Sequence, residues 1–167
     1  SPITLTSSSA QYDIFTDGAS RKDGRGGWGF AVYCDDHEIL HDYGGVGGTT
    51  NMQMELLAPV KALESIRKRR NASVRLFSDS QYVVKGITEY IDIWLHSNWR
   101  GAGNKPIKYR DLWERLGHLD CEFLVQWHWV KGHSGVPGNE RADQLAGMGI
   151  EEWTSRVSAT RRREEKV

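Results

Sequence analysis

Asp17, Glu55, Asp79 and Asp143 each stand where a strand or helix would present a carboxylate at its edge. Asp17 closes the run QYDIFTD and Asp79 closes SVRLFSD, while Glu55 opens an apolar helical stripe and Asp143 follows the loop GHSGVPGNERA. Were the first and fourth strands parallel neighbours, both strand-end carboxylates would share one rim, where open α/β sheets place ligands. Like charges within about 4–6 Å raise one another's pKa and oppose full ionisation, and a divalent cation relieves that conflict. Oxygen donors with no His or Cys partner suit Mg²⁺, with Mn²⁺ as a substitute. Two such ions about 3.5–4 Å apart would serve an in-line phosphoryl displacement, one generating the nucleophilic hydroxide and the other taking charge on the departing 3′ oxygen. A single strand-end Asp is more often a turn former or a helix cap, so this chemistry stands or falls with convergence.

The elements that would achieve convergence follow from periodicity. QYDIFTD, GWGFAVYCD and HEILHDYGG are short aromatic and aliphatic runs separated by SRKDGRG and Asp35-Asp36, which predicts a three-stranded antiparallel meander. Over Asn51–Arg70 the period changes: Leu56, Leu57, Val60, Leu63 and Ile66 recur at helical steps, with Arg67–Arg70 at the negative end of the helix. Pro59 lies inside and predicts a bend or a later start. SVRLFSD then reads as a strand, SQYVVKGITEYIDIWL and Pro106–Gly117 as helices, CEFLVQWHWV as a strand and Gly138–Ile150 as a closing helix. The order βββαβααβα implies an α/β fold, a five-stranded mixed sheet with helices on its faces.

At 167 residues there is room for one domain, and 22 basic residues cancel 22 acidic ones, so bulk charge announces no polyanionic partner. Cys34 and Cys121 lack metal-ligand spacing and are expected as thiols in a reducing cytoplasm. No secretory signal or 18-residue apolar stretch is apparent, so no membrane association is expected. Residues 1–10 read as a loose N-terminal tail, 11–153 as the catalytic domain and 154–167 as a charged C-terminal tail. No heptad or large apolar stripe requires more than a monomer.

At TDGAS, TTNMQMELLA, FSDSQYVVKGI, KPIKYRDLWERL and WVKGHSGVPGNERADQLA the chain resembles the ribonuclease H type 1 family, in the family's order and over about residues 11–150. The resemblance implies a ribonuclease H-like fold and cleavage of the RNA strand of an RNA·DNA hybrid, leaving 5′-phosphate and 3′-hydroxyl ends. It also implies that Asp17, Glu55, Asp79 and Asp143 are the catalytic, metal-binding set for two Mg²⁺ ions. His133, in KGHSGVPG, matches the family's His associated with proton transfer or product departure, and its ordinary reading is a solvated loop residue. Thr50 fits the DNA-phosphate pocket, and Asn51, Ser80 and Gln81 fit the polar groups at the minor groove, where 2′-hydroxyls identify RNA. Asn51 also reads as a helix N-cap.

Trp94–Arg110 aligns with the family's basic protrusion. Arg100, Lys105, Lys108 and Arg110, with no acidic residue between, would meet phosphates, while Trp94 and Trp99 would pack beside sugars or bases or else belong to the core. Three departures bear on the phosphate pocket: Asp23 in a shortened loop where a neutral Asn is common, Tyr109 for a phosphate-holding Asn, and Met52-Gln53 for an Asn-Arg pair. The competing readings are a ribonuclease H domain of a reverse transcriptase, a non-catalytic hybrid-binding module on the same fold, and a resolvase or integrase core. The intact carboxylates oppose the second, and the protrusion with the GHSGVPGNERAD block opposes the third.

Overall fold

The computed structural model describes residues 10–69 and 71–166, so the expected N-terminal tail lies outside them except for Ala10. Strands β1 (Gln11–Ser20), β2 (Gly26–Cys34) and β3 (His37–Val46) form the expected antiparallel meander. β4 (Ser73–Ser78) adds parallel to β1 and β5 (Gln126–Trp129) parallel to β4, giving one mixed sheet of order β3-β2-β1-β4-β5. Thr16 pairs with Ser78, so the next residues, Asp17 and Asp79, stand side by side where β4 ends; contrary to expectation Asp17 does not close β1, which runs on beside β2 to Ser20.

Alternation decides which helices cover which face. Tyr12, Ile14, Thr16, Phe30, Val32, Val74 and Leu76 are buried on the face under α1 (Asn51–Ser65), which packs on β1 and β2 through Leu56, Val60 and Leu63. At Gly18 that approach is so close that a Cβ would meet the backbone of Met54 and Glu55, which makes glycine a steric requirement there. α5 (Pro137–Glu165) covers the opposite face, its backbone lying against Gly27 and Gly29 of β2.

Several boundaries differ from expectation. α1 runs unbroken through Pro59, whose missing N–H leaves the Glu55 carbonyl without its usual helical donor. Its N-cap is Thr50, whose hydroxyl accepts from the Gln53 amide at 3.1 Å, and not Asn51. The helix ends before Arg67, and Arg67 instead pairs with Glu122 at 2.9 Å. The single helix expected after β4 is wound in three parts: α2 (Gln81–Lys85), a π-helical turn over Gly86–Tyr90, and α3 (Ile91–His96). α4 spans Arg110–Phe123, starting later than Pro106 and absorbing the first residues of the expected last strand. Trp113, Leu116, Leu119 and Phe123 are buried at helical spacing, and the left-handed Leu124 (φ 50°) stops it. Finally, the segment expected as a loose tail from residue 154 continues α5 to Glu165. Helix initiation is the costly step, and the buried first half of α5 has already met it, so Arg, Ala and Glu extend the helix without a core to pack on.

Candidate active site

The sheet register brings Asp17 and Asp79 together, and Glu55 joins them from α1. One carboxylate oxygen from each lies within 4.8 Å of the others. Asp17 is 8 % exposed, and its Oδ1 accepts the Gly18 amide at 2.9 Å. Burial, then the charges of Asp79 and Asp143, push the Asp17 carboxyl up to about 8, with the Gly18 amide opposing. Burial also raises Glu55, helped by Asp79 and opposed by a hydrogen bond from Ser80. Asp143, exposed near the start of α5, hydrogen-bonds Asp17 without entering the tight group of three. Asp17 and Glu55 therefore resist ionising together, a conflict that a hard cation would relieve, and the donors of the cluster are oxygen alone. That chemistry fits Mg²⁺ or Mn²⁺.

Groups around the carboxylates fix them. Ser80 caps α2, its hydroxyl accepting the Val83 amide at 3.2 Å while it donates to Glu55. Two supports escaped the sequence reading. Asn139 is 2 % exposed and its amide faces Asp79 Oδ2 at 3.5 Å, while the Trp129 indole donates to the Asp79 carbonyl at 3.0 Å. Both stand in the block Trp129–Ala146, but their contacts with Asp79 are tertiary and left no local signal.

The surrounding expectations divide. Gln81 and Asn51 are exposed at helix starts beside the rim, and Asn51 Oδ1 accepts from the Ser20 amide at 2.6 Å, leaving its own amide group free to donate outward. Thr50 is engaged by the Tyr109 hydroxyl at 2.7 Å, so Tyr109, itself left-handed at φ 61°, ties the start of α4 to the start of α1. Asp23 is no free negative charge, because Arg25 pairs with it at 2.9 Å. His133 sits exposed in the Gly132–Gly135 turn with φ 53°.

In the protrusion, Arg100, Lys105 and Lys108 are exposed. Arg110 is exposed too, but it pairs with Glu114 at 2.8 Å and its guanidinium lies 5.3 Å from the Trp99 ring centre. Of the two readings offered for the tryptophans, the core one fits Trp99, which is 6 % exposed, while Trp94 is half-buried, 6.2 Å from Trp99 and 5.1 Å from Trp113, ring centre to ring centre. Burying large aromatic surface outweighs an exposed role when a neighbouring helix supplies the partner.

The RNase H family profile matches residues 9–151. The chain belongs to the ribonuclease H family. It is thus an enzyme of the hydrolase class, and no helix among the described residues is long and apolar enough to cross a membrane. A ribonuclease H of Halorhodospira halophila is 46 % identical over 149 residues, covering 89 % of this chain and 98 % of that protein. The ribonuclease H of Polynucleobacter asymbioticus is 45 % identical over 84 % of this chain and 90 % of its own length. Among solved structures, LC9-RNase H1, described as a type 1 RNase H with the type 2 active-site motif, superposes with a TM-score of 0.74 at 26 % identity, over 93 % of this chain and 86 % of its own. LC11-RNase H1 in complex with RNA/DNA hybrid shares the ribonuclease H fold at TM-score 0.68 and 18 % identity, over 86 % of this chain and 99 % of its own.

Proposed function

We propose that this chain hydrolyses the RNA strand of RNA·DNA hybrids, with Asp17, Glu55, Asp79 and Asp143 holding two Mg²⁺ ions, or Mn²⁺ in their place, and leaves 5′-phosphate and 3′-hydroxyl ends. The observation that carries the reading is the group of three carboxylates with oxygens within 4.8 Å, assembled from three separate elements. Two such ions, when bound, supply a water-derived nucleophile and neutralise the charge developing on the leaving 3′ oxygen.

The chain's own groups do the rest. Asp17, with the Gly18 amide on Oδ1, keeps its other oxygen for a cation. Ser80 orients Glu55, and Asn139 orients Asp79. Asn51 and Gln81 offer amide donors to the minor groove, where a 2′-hydroxyl distinguishes RNA from DNA. Thr50 and Tyr109 together present hydroxyl groups to a DNA phosphate, with Arg100, Lys105 and Lys108 further along that strand. His133, on a glycine-bordered turn, exchanges a proton with the leaving group or helps the product phosphate depart.

High identity to a ribonuclease H matched along 98 % of its length supports this reading over a reverse-transcriptase domain. Free Cys34 and Cys121 suit a cytoplasmic monomer. The test is cleavage of one labelled sequence as hybrid, duplex RNA and duplex DNA, with and without Mg²⁺, followed by analysis of the product ends. Only the hybrid should be cut, only with metal, and its fragments should be ligatable without kinase treatment; equal cleavage of duplex DNA would refute the assignment.

A further inference from the structure

α5 outlasts the fold it belongs to. The family profile stops at residue 151, yet the helix continues to Glu165. Its sheet-facing side is filled as far as Trp153, which packs beside Gly45 and Gly47 at the end of β3. Beyond that point Arg156, Val157 and every residue from Thr160 to Lys166 are exposed. Residues 155–167 carry five basic side chains against two acidic ones in a chain whose total charge is zero. Arg161, Arg162 and Arg163 make no ion pair among the described residues.

Direction gives this surplus a target. α5 passes Gly29 and then Gly27, so it runs the same way as β1 and leaves the sheet at the end where Asp17 and Asp79 emerge. Leaving, it grazes the β1–β2 loop: Arg25 Nη1 donates to Thr154 Oγ1 at 2.7 Å, and Arg21 lies 3.9 Å from Glu151. Arg161 follows Asp143 by 18 residues, which is five turns at about 3.6 residues each, so it returns to the face that carries Asp143 roughly 27 Å further along the axis. Arg162 lies about 100° round from it and Arg163 another 100°. At about 3.4 Å per base pair, 27 Å corresponds to roughly 8 pairs of duplex.

We propose that residues 155–166 form a second phosphate-binding arm, in which Arg161, Arg162 and Arg163 grip the backbone of the nucleic-acid duplex about 8 base pairs from the cut. The inference rests on the hybrid-cleaving reading above, and adds a contact separate from any use of the 94–110 protrusion. Such contacts are sequence-independent, release condensed counterions and strengthen binding at low salt. Their energy is shared by ground and transition states, so it enters KM and not the saturated rate.

The experiment compares the parent with the Arg161→Ala/Arg162→Ala/Arg163→Ala variant, whose substituted side chains touch no core residue. Binding is read by fluorescence anisotropy with two uncut hybrids in Ca²⁺, one of about 8 and one of about 24 base pairs, across a salt series. On the long duplex the variant should bind several-fold more weakly, and the log K against log salt slope should flatten by up to about 2.7, at about 0.9 per phosphate contact. On the short duplex the two proteins should coincide. Identical slopes on both lengths, or an equal loss on both, would overturn the arm. So would unchanged duplex binding accompanied by lost adhesion to phosphatidylserine vesicles, which would give the arginines to an anionic membrane surface. Anisotropy on uncut duplex needs no turnover, so failure of the parent to cleave hybrid would sink the hybrid-cleaving reading and would be seen separately.

Discussion

The carboxylate rim and the 94–110 protrusion were both read from residue type and spacing, and the fold treats them differently. At the rim, the backbone decides: parallel pairing of β1 with β4 stops at Thr16 and Ser78 and so puts Asp17 beside Asp79, and little freedom remains for the side chains. In the protrusion, packing decides. Trp99 is buried against Trp94, which meets Trp113, and the exposed Arg110 is tied to Glu114 and Trp99, while Arg100, Lys105 and Lys108 stand exposed with no ion pair among the described residues. Asp17 is held in place by the backbone that carries it even though its carboxyl is buried at a cost, whereas an aromatic ring in a loop goes wherever apolar surface is offered.

If that contrast is right, the rim should control turnover and the protrusion should control binding. The largest effect belongs to Asp17→Asn, which keeps shape but removes the charge a cation needs. Hybrid cleavage should fall by at least about 10³-fold while hybrid binding stays measurable. Near-parental cleavage by the purified variant would break the comparison at its root.

His133→Ala comes next. It leaves the carboxylates assembled, so kcat should fall by roughly 10- to 100-fold with little change in KM. Steady-state kinetics on a short hybrid decide it, and a kcat within about twofold of the parent across neutral pH would return His133 to a solvated turn.

The rim should also be a stability liability when empty of metal. Because the folded-state pKa of Asp17 is raised from 3.8 to about 8, the unfolded chain ionises first as pH rises, and folding loses stability across that window. Asp17→Asn should therefore stabilise the metal-free protein by several kcal/mol near pH 8, and by little near pH 4. Denaturant melts in EDTA measure this, and Mg²⁺ should restore the parent. A parent more stable at the higher pH would show that the cluster is not strained.

The smallest effects should come from the protrusion. Replacing Arg100, Lys105 and Lys108 with Ala should raise KM several-fold, leave kcat nearly alone, and flatten the salt slope by up to about 2.7. Arg110→Ala should leave that slope unchanged, since its guanidinium is already committed to Glu114 and Trp99. Equal slope changes from Arg110 and Lys105 would blur the distinction between paired and unpaired basic groups.

These elements also show what the sequence made legible. Strand alternation, the strand-end Asp residues and the apolar stripe of α1 are local signals, and the sheet they imply is the one observed. The N-cap was misplaced by one residue because Thr50 and Asn51 are both good caps, and only the Ser20 contact removes Asn51 from that duty. Asn139 was missed because its role depends on a tertiary contact with Asp79 that no periodicity reveals. The end of α5 was read as a tail because it has no apolar face, although a helix already nucleated needs none to continue.

The π turn at Gly86–Tyr90 has a consequence for how this molecule tolerates insertions and deletions. A π turn holds one more residue than the α turn it replaces, so it sets the rotational phase of everything downstream. Here it lies between the capped start of α2, beside the rim, and the protrusion, with Gly86 seated under the Trp113 ring. Losing one residue from the turn would rewind α3 by roughly 100° and swing Trp94 out of its stack with Trp99 and Trp113. The aim of the protrusion is thus a matter of counting: one residue more or fewer in a single turn changes where its basic side chains point, while the rim carboxylates keep the places that the sheet, α1 and α5 give them.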